Sequence, residues 1–139
     1  MRMPGWLLFD FRGSGSWPDH WPPVHYRRET DRLIRFRLMP PDRAVNQLGT
    51  LHGGFLAGIA ENNMGLFLAG EDGGPPQAVA VSLSLDYCAP GRPGEVLEGE
   101  LELVRDTFRM QFVRIMLMQQ GEPVLQASGI LKKLKAAAA

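Results

Sequence analysis

The sequence contains a single cysteine, Cys88, which excludes an internal disulfide and is typical of a protein from a reducing compartment. No nucleophile motif surrounds this cysteine, so we expect it to be a packing residue at the end of a strand. Histidine is almost as scarce. His20, His25 and His52 do not have the spacing of metal ligands, and neither a metal nor another cofactor is predicted.

The sequence also has no excess of either charge. Fifteen Lys and Arg residues balance fifteen Asp and Glu residues, so there is no electrostatic reason to predict binding to nucleic acid or to an anionic membrane. The apolar run near the start is too short for a signal peptide. The longer run over residues 53–70 contains Glu61, two Asn and several Gly, which argue against a membrane span. We therefore expect a cytoplasmic protein.

The apolar pattern predicts one helix and about five strands within a single domain over residues 1–139. Residues 53–70 are almost uncharged and long enough for a core helix of about four to five turns. This order fits an α+β fold in which an antiparallel sheet of about five strands wraps around one long central helix. The open edge of such a sheet would be covered if two chains dimerised into a larger continuous sheet. The strand-like runs lie at 32–38, 77–87, 95–104, 109–119 and 123–134.

The remaining segments are expected to be irregular. Residues 1–30 are rich in Pro, Gly, Trp and His, and they predict an irregular or helical N-terminal extension with a short helix or turn at 4–11. Trp17 and Trp21 are expected to cover the core. Residues 71–76 predict a turn after the helix, and the four alanines at the end of the sequence are expected to fray.

Glu61 is the only ionisable group in the predicted helix. A carboxylate in a core helix costs free energy unless it is paired or protonated, so we expect it to have a function. The alternative left open is a packed face in which Glu61 bonds to a buried donor. Asn62 and Asn63 are candidates for that donor, or they bond to the backbone. At 100° per residue, Glu61 falls on a face of small residues that a ligand or another backbone can approach: Gly54, Ala57, Gly58 and Gly65.

Residues 46–54, which read NQLGTLHGG, lead into this helix. The glycine pair leaves backbone N–H groups bare at the positive end of the helix dipole, where an anion or an oxyanion binds. Gly53 and Glu61 lie roughly 12 Å apart along the helix axis, whereas a general base must lie about 3 Å from its proton. If both residues are catalytic, an antiparallel pair of helices across a two-fold axis would bring the glycines of one chain to Glu61 of the other.

Three features of the sequence carry a family resemblance. They are an Asn six residues before a His-Gly-Gly tripeptide, an acid nine residues after the His, and the surrounding β pattern. With these features the chain resembles the hotdog-fold acyl-CoA thioesterases of the PaaI-like (phenylacetic acid degradation) group. The resemblance covers most of the chain, including residues 27–33 before the first strand and the strand–Pro–Gly–strand link at 86–95. It implies a hotdog fold, an acyl-CoA substrate, and a homodimer or dimer of dimers (a homotetramer) with sites built across the dimer interface.

The resemblance also implies roles for individual residues. Glu61 would act as the general base or nucleophile, the Gly53 N–H would polarise the thioester carbonyl, and Asn46 would help to hold the carbonyl or the water. His52, a further catalytic candidate, would be a structural and positioning residue near the thioester. Many relatives place a Ser or Thr near the acid, and here the following strand offers serines. The candidate substrate-binding residues are Gly54, Ser82, Ser84 and, for the CoA phosphates, Arg92.

We therefore predict an enzyme that hydrolyses an acyl-CoA thioester to the free acid and CoA. The sequence leaves two alternatives open. A hydratase or dehydratase on the same fold would need a His–acid pair acting on one substrate carbon, and the spacing of His52 and Glu61 along one helix argues against that pair within one chain. A non-catalytic acyl-CoA binding protein would bind its ligand tightly and release no thiol. The sequence does not specify the acyl group.

Overall fold

The computed structural model describes residues 3–70 and 76–134 of the chain. The turn predicted at 71–76 lies outside the described residues except for Pro76, and the alanine tail lies outside them as well. The described residues form one α-helix, α1 (Gly53–Asn63), and two short 3-10 helices, Trp17–His20 and Leu66–Leu68. They also form seven strands: β1 (Leu7–Phe9), β2 (Val24–Thr30), β3 (Leu33–Leu38), β4 (Ala78–Tyr87), β5 (Leu97–Asp106), β6 (Met110–Gln119) and β7 (Glu122–Lys133).

The seven strands form one antiparallel sheet in the order β1-β2-β3-β5-β6-β7-β4. Five of them, β3 to β7, are the strands that the apolar pattern predicts, and their ends differ from the prediction by two residues or fewer. A hairpin joins β6 and β7. Gln120 and Gly121 close it with φ angles of 50° and 77°, as a tight two-residue turn between twisted strands requires.

The prediction of an irregular or helical N-terminal extension is wrong for β1 and β2, which extend the sheet beyond β3. β1 has only three residues, too few to show an alternation, and β2 buries only Val24 and Tyr26 before its charged end. Trp21 packs against the core as predicted. Trp17 is 85% exposed, so its predicted role in covering the core is wrong.

The central helix is shorter than predicted. It ends at Asn63, and the apolar run continues as the 3-10 helix Leu66–Leu68. Gly65 lies at this break, where a Cβ would stand only 3.1 Å from Pro76. The residues of the 3-10 helix are still largely buried, which explains why the apolar pattern did not reveal the end of the helix.

Only one face of α1 packs on the sheet, through Leu56, Ile59, Ala60 and Asn63. A glycine in the sheet makes room for the end of the helix, since a Cβ on Gly129 would lie 2.3 Å from Met64 Cε. The opposite face of α1 is not covered by the sheet. No helix in the described part of the chain has the length and apolar character needed to cross a membrane.

One edge of the sheet is the long strand β4. Among the described strands β4 pairs with β7 alone, and Val79 and Val81 on it are about half exposed, at 46% and 52%. A register shift between Ala80 and Ser82 interrupts its pairing with β7. The sheet therefore has the open edge that the sequence predicts, and an unpaired edge of this kind can accept another strand.

Candidate active site

The imidazole of His52 caps the N-terminus of α1. His52 has an extended backbone, with φ −63° and ψ 132°, and its Nδ1 accepts a 2.8 Å hydrogen bond from the Gly54 N–H. An Nδ1 atom that accepts a hydrogen bond carries no proton, so the ring is in the tautomer protonated at Nε2. Because the Gly54 N–H donates to His52, it is not a free donor for substrate. The prediction that Gly54 offers a bare N–H is therefore wrong.

Gly53 is held from its other side by Tyr87, the last residue of β4. The Tyr87 hydroxyl donates a 2.8 Å hydrogen bond to the Gly53 carbonyl oxygen, and a Cβ on Gly53 would lie 3.1 Å from the tyrosine ring. The peptide group between Gly53 and Gly54 is thus anchored at its oxygen by Tyr87 and at its N–H by His52. The Gly53 N–H itself makes no hydrogen bond within the described chain, and it remains available to a ligand.

Asn46 organises the loop that leads into α1. Its Oδ1 accepts hydrogen bonds from the N–H groups of Leu48 (2.9 Å) and Thr50 (3.1 Å), and its Nδ2 donates to Thr50 Oγ1 at 2.8 Å. The two backbone donors identify the accepting atom as oxygen. One hydrogen of Nδ2 is left for a ligand, so Asn46 can act as a donor to a carbonyl but not as a free acceptor.

A cleft of about 400 Å³ brings Asn46, Gly53 and Tyr87 together. Cys88 lies on this cleft and is exposed, so its predicted role as a packing residue is wrong. Glu61 does not line the cleft. The other residues that line it are Thr50, Leu51, Leu56, Ala89, Pro90 and Gly91.

Glu61 lies at a second pocket of about 380 Å³, which it shares with Phe9, Phe11, Asn62 and residues of β4. The carboxylate is exposed and makes no hydrogen bond or ion pair with any other described residue. The expectation that the acid is buried within the chain is therefore wrong, because the sheet covers only the opposite face of α1. Gly53 and Glu61 belong to different pockets of one chain, in agreement with their predicted separation along the helix.

The small residues on the open face of α1 admit an aromatic side chain. A Cβ on Gly58 would lie 2.6 Å from Cη2 of Trp21, and Trp21 also stacks edge-on against Phe55 with ring centroids 6.5 Å apart. Asn63 is not the donor to Glu61 that the sequence left open. Its Nδ2 bonds to the Ile59 carbonyl at 2.8 Å.

Ser82 and Ser84 point away from α1. Within β4, Leu83 pairs with Gly129, which faces the end of the helix, whereas Ser84 pairs with Ser128 and Ser82 with Ile130 on the opposite face of the sheet. Because side chains alternate along a strand, neither serine can reach the pockets beside α1. The prediction that Ser82 and Ser84 bind substrate is corrected for this reason. Ser84 instead lines a cavity of about 330 Å³ on the outer face of the sheet.

Arg92 directly follows Gly91 at the rim of the cleft. Its guanidinium Nε is 2.8 Å from Oε2 of Glu95, and its backbone N–H donates to Oε1 of Gln119 at 2.7 Å. Gln119 is fully buried and fixes this loop from below. The Arg92 side chain is 41% exposed and can reach solvent near the cleft.

The sequence is similar to known proteins over most of its length. The family model described as the thioesterase superfamily matches residues 48–125. A protein of Pseudomonas aeruginosa with the name "Putative esterase PA0474" is 31% identical over 108 residues, which cover 78% of this chain and 81% of that protein.

Two solved structures are similar to this fold. A hypothetical thioesterase protein from Streptococcus pneumoniae TIGR4, crystallised with coenzyme A, has a TM-score of 0.70 and 19% identity, and the match covers 83% of this chain and 91% of that chain. The E. coli PaaI protein from the phenylacetic acid degradation operon has a TM-score of 0.70 and 16% identity, with 82% of this chain and 81% of that chain covered.

Proposed function

The chain belongs to the thioesterase superfamily and has the hotdog fold that its sequence resembles, and on this basis we propose that it hydrolyses an acyl-CoA thioester to the free acid and CoA. One observation carries the proposal. The Gly53 N–H at the start of α1 and the Glu61 carboxylate two turns further along the helix bond to no other group among the described residues, and they line two separate pockets. These are the two groups that acyl transfer requires, a donor for the oxyanion and a base or nucleophile.

The Gly53 N–H is the proposed donor to the thioester carbonyl. As the carbonyl carbon is attacked, negative charge grows on its oxygen, and an N–H at the positive end of a helix stabilises that charge. The bonds from Tyr87 and His52 fix the adjoining peptide group, so the donor needs little reorganisation during the reaction. Asn46 supplies a second donor to the carbonyl oxygen, namely the Nδ2 hydrogen that makes no bond within its own loop.

The carboxylate that acts on this carbonyl comes from the partner chain of a homodimer, in our proposal. Pairing of β4 with its copy would extend the sheet across the two-fold axis and place the open faces of the two α1 helices opposite each other. Each site then takes Asn46 and Gly53 from one chain and Glu61 from the other. The same pairing would cover Glu61, which a single chain leaves exposed.

In the general-base route, Glu61 takes a proton from water while the water oxygen bonds to the carbonyl carbon. The C–S bond then breaks, and the proton passes to the leaving CoA thiolate. In the nucleophilic route, the carboxylate itself attacks the carbonyl, the C–S bond breaks and the CoA thiolate leaves, so that an anhydride forms; water then cleaves the anhydride, regenerates the carboxylate and supplies the proton that the thiolate takes up. Both routes use the same residues, and both release a thiol. Beside the cleft, Arg92 is proposed to bind the CoA phosphates, which would replace Glu95 as its ion-pair partner.

A thiol-release assay over a panel of acyl-CoA thioesters tests the proposal. We expect stoichiometric release of CoA and free acid from at least one member of the panel. Retention of the thioester with addition or loss of water would instead indicate a hydratase or dehydratase. Tight binding without thiol release, in a folded protein, would indicate a non-catalytic acyl-CoA binder.

A further inference from the structure

Most residues that line the pocket beside Glu61 have apolar side chains, and Glu61 and Asn62, which both lie on α1, are the polar ones among the described lining residues. The described residues that line it include no Lys, Arg or His. The remaining lining residues are Phe9, Phe11, Gly65, Pro76, Ala78, Val79, Ala80 and Leu131.

Two rings, Phe9 at the end of β1 and Phe11 two residues beyond it, form one wall of this pocket. Phe9 is 2% exposed and meets Phe11 edge-on, with ring centroids 4.7 Å apart and an interplanar angle of 74°. Phe9 also meets Tyr26 edge-on at 6.3 Å. Such pairs hold rings in defined orientations. Phe11 is half-buried, so one side of its ring packs on Phe9 and the remainder is open to the pocket.

A carboxylate–guanidinium clamp holds the chain on both sides of Phe11. Asp10 Oδ1 accepts hydrogen bonds from the backbone N–H and the Nε of Arg12, each at 3.0 Å, and Asp10 Oδ2 accepts from Nη2 at 2.8 Å. The hydrogen bond from the Arg12 side chain lowers the pKa of Asp10. These bonds favour one backbone conformation on the two sides of Phe11, with the small stabilisation that a surface ion pair provides.

We propose that this pocket holds the acyl group of the substrate, that the group is an uncharged hydrocarbon, and that Phe11 sets its maximum size. The inference rests on the proposed function, since Glu61 must lie next to the thioester carbonyl. A carboxylate on the acyl group would meet Glu61, and the described lining residues of the same chain include no Lys, Arg or His to neutralise it. In this pocket the only polar side chains among the described lining residues are those of Glu61 and Asn62, whereas the cleft offers the amides of the CoA pantetheine Asn46, Thr50 and the Gly53 N–H. Phe9 and Phe11 lie outside the residues that the family model matches, so this wall comes from the N-terminal segment of this chain.

The test compares chain-length profiles of wild type, Phe11→Ala and Phe11→Trp. The substrates are straight-chain acyl-CoAs from acetyl to dodecanoyl, with succinyl-CoA beside butyryl-CoA as a pair that differs in charge. For wild type, kcat/KM should rise about fourfold per methylene while the methylenes are buried, and then fall. Phe11→Ala should move the optimum to longer chains and Phe11→Trp to shorter chains. Succinyl-CoA should be about 10²-fold poorer than butyryl-CoA.

Phe108→Ala is the matched control. Phe108 is 93% exposed in the turn between β5 and β6 and does not line the pocket, so its loss should leave the profile unchanged. Identical profiles in wild type and both Phe11 variants would overturn the inference, as would equal rates with succinyl-CoA and butyryl-CoA. If one Phe11 variant does not fold, the other still shifts the optimum in a defined direction.

Calorimetry with non-hydrolysable S-alkyl-CoA thioethers of the same chain lengths separates this inference from the proposed function. If wild type releases no thiol but the thioether affinities shift with Phe11 as described, hydrolysis is wrong and the acyl pocket is right. If thiol is released and neither the rates nor the affinities respond to Phe11, hydrolysis is right and the acyl pocket is wrong.

Discussion

The hydroxyl group of Tyr87 donates a 2.8 Å hydrogen bond to the backbone carbonyl oxygen of Gly53. The N–H of the same peptide group bonds to His52, so two side chains far apart in sequence fix one peptide plane at the start of α1. Glycine pairs are otherwise the most flexible part of a chain. The bond from Tyr87 therefore restricts the peptide group that adjoins the Gly53 N–H, and Gly53 lines the cleft.

Tyr87→Phe removes this bond and keeps the ring that packs on Gly53. Because a hydrogen bond of this kind contributes about 1 kcal/mol, we expect kcat to fall about fivefold with KM almost unchanged. Steady-state kinetics and thermal unfolding of the same variant provide the check. A lower melting temperature with wild-type kcat would show that Tyr87 is merely structural.

His52→Ala should destabilise the protein by about 1 kcal/mol, because the first turn of α1 loses its cap. His52→Asn should restore most of that free energy of unfolding, since asparagine is among the best N-cap residues. Denaturant unfolding measures both values. If capping is the whole role of His52, the asparagine variant also recovers kcat. A stable asparagine variant that remains inactive would contradict this.

Glu61→Gln should lower kcat about 10²-fold or more and leave stability unchanged in the isolated chain, because the carboxylate is exposed and unpaired within the described chain. Glu122→Gln, at an exposed position at the start of β7, is the control and should match wild type. Near-normal turnover by a folded Glu61→Gln variant would remove Glu61 from the mechanism.

Gly58→Ala tests the packing of Trp21 on α1. Alanine is favoured over glycine in a helix by about 1 kcal/mol, but its Cβ would lie 2.6 Å from the Trp21 ring. We expect a net loss of about 1 kcal/mol in the wild-type background and a gain of similar size in a Trp21→Ala background. Equal effects in both backgrounds would show that Trp21 does not constrain this position.

The strands that could be predicted are those in which apolar and polar residues alternate over six residues or more. β4, β6 and β7 each have ten or more residues, enough for alternation to be recognised, and the His-Gly-Gly start of the helix carries its own signal. β1 has three residues, and its pairing with β2 depends on contacts distant in sequence. The end of α1 was hidden because its apolar pattern continues into a 3-10 turn.

The site could be predicted only where one local segment supplies it. Asn46, His52 and Gly53 come from a single loop–helix junction, and the structure brings them together. Tyr87 was missed because its partner is a backbone oxygen 34 residues away, although its place at the end of the alternating strand 77–87 was a usable signal. Ser82 and Ser84 were misassigned because strand register, which sequence alone does not fix, decides the face on which they lie.

The central claim is that each active site takes Gly53 and Asn46 from one chain and Glu61 from the other. Asn46→Ala and Glu61→Ala are each expected to be nearly inactive as homodimers. Unfolding and refolding them together should produce mixed dimers in which one site has lost both residues and the other has both intact. Thiol release by the mixture should then recover up to about a quarter of wild-type activity per protomer, since half of the dimers are mixed and each has one good site of two. An inactive mixture, once subunit exchange has been shown independently, would contradict the claim.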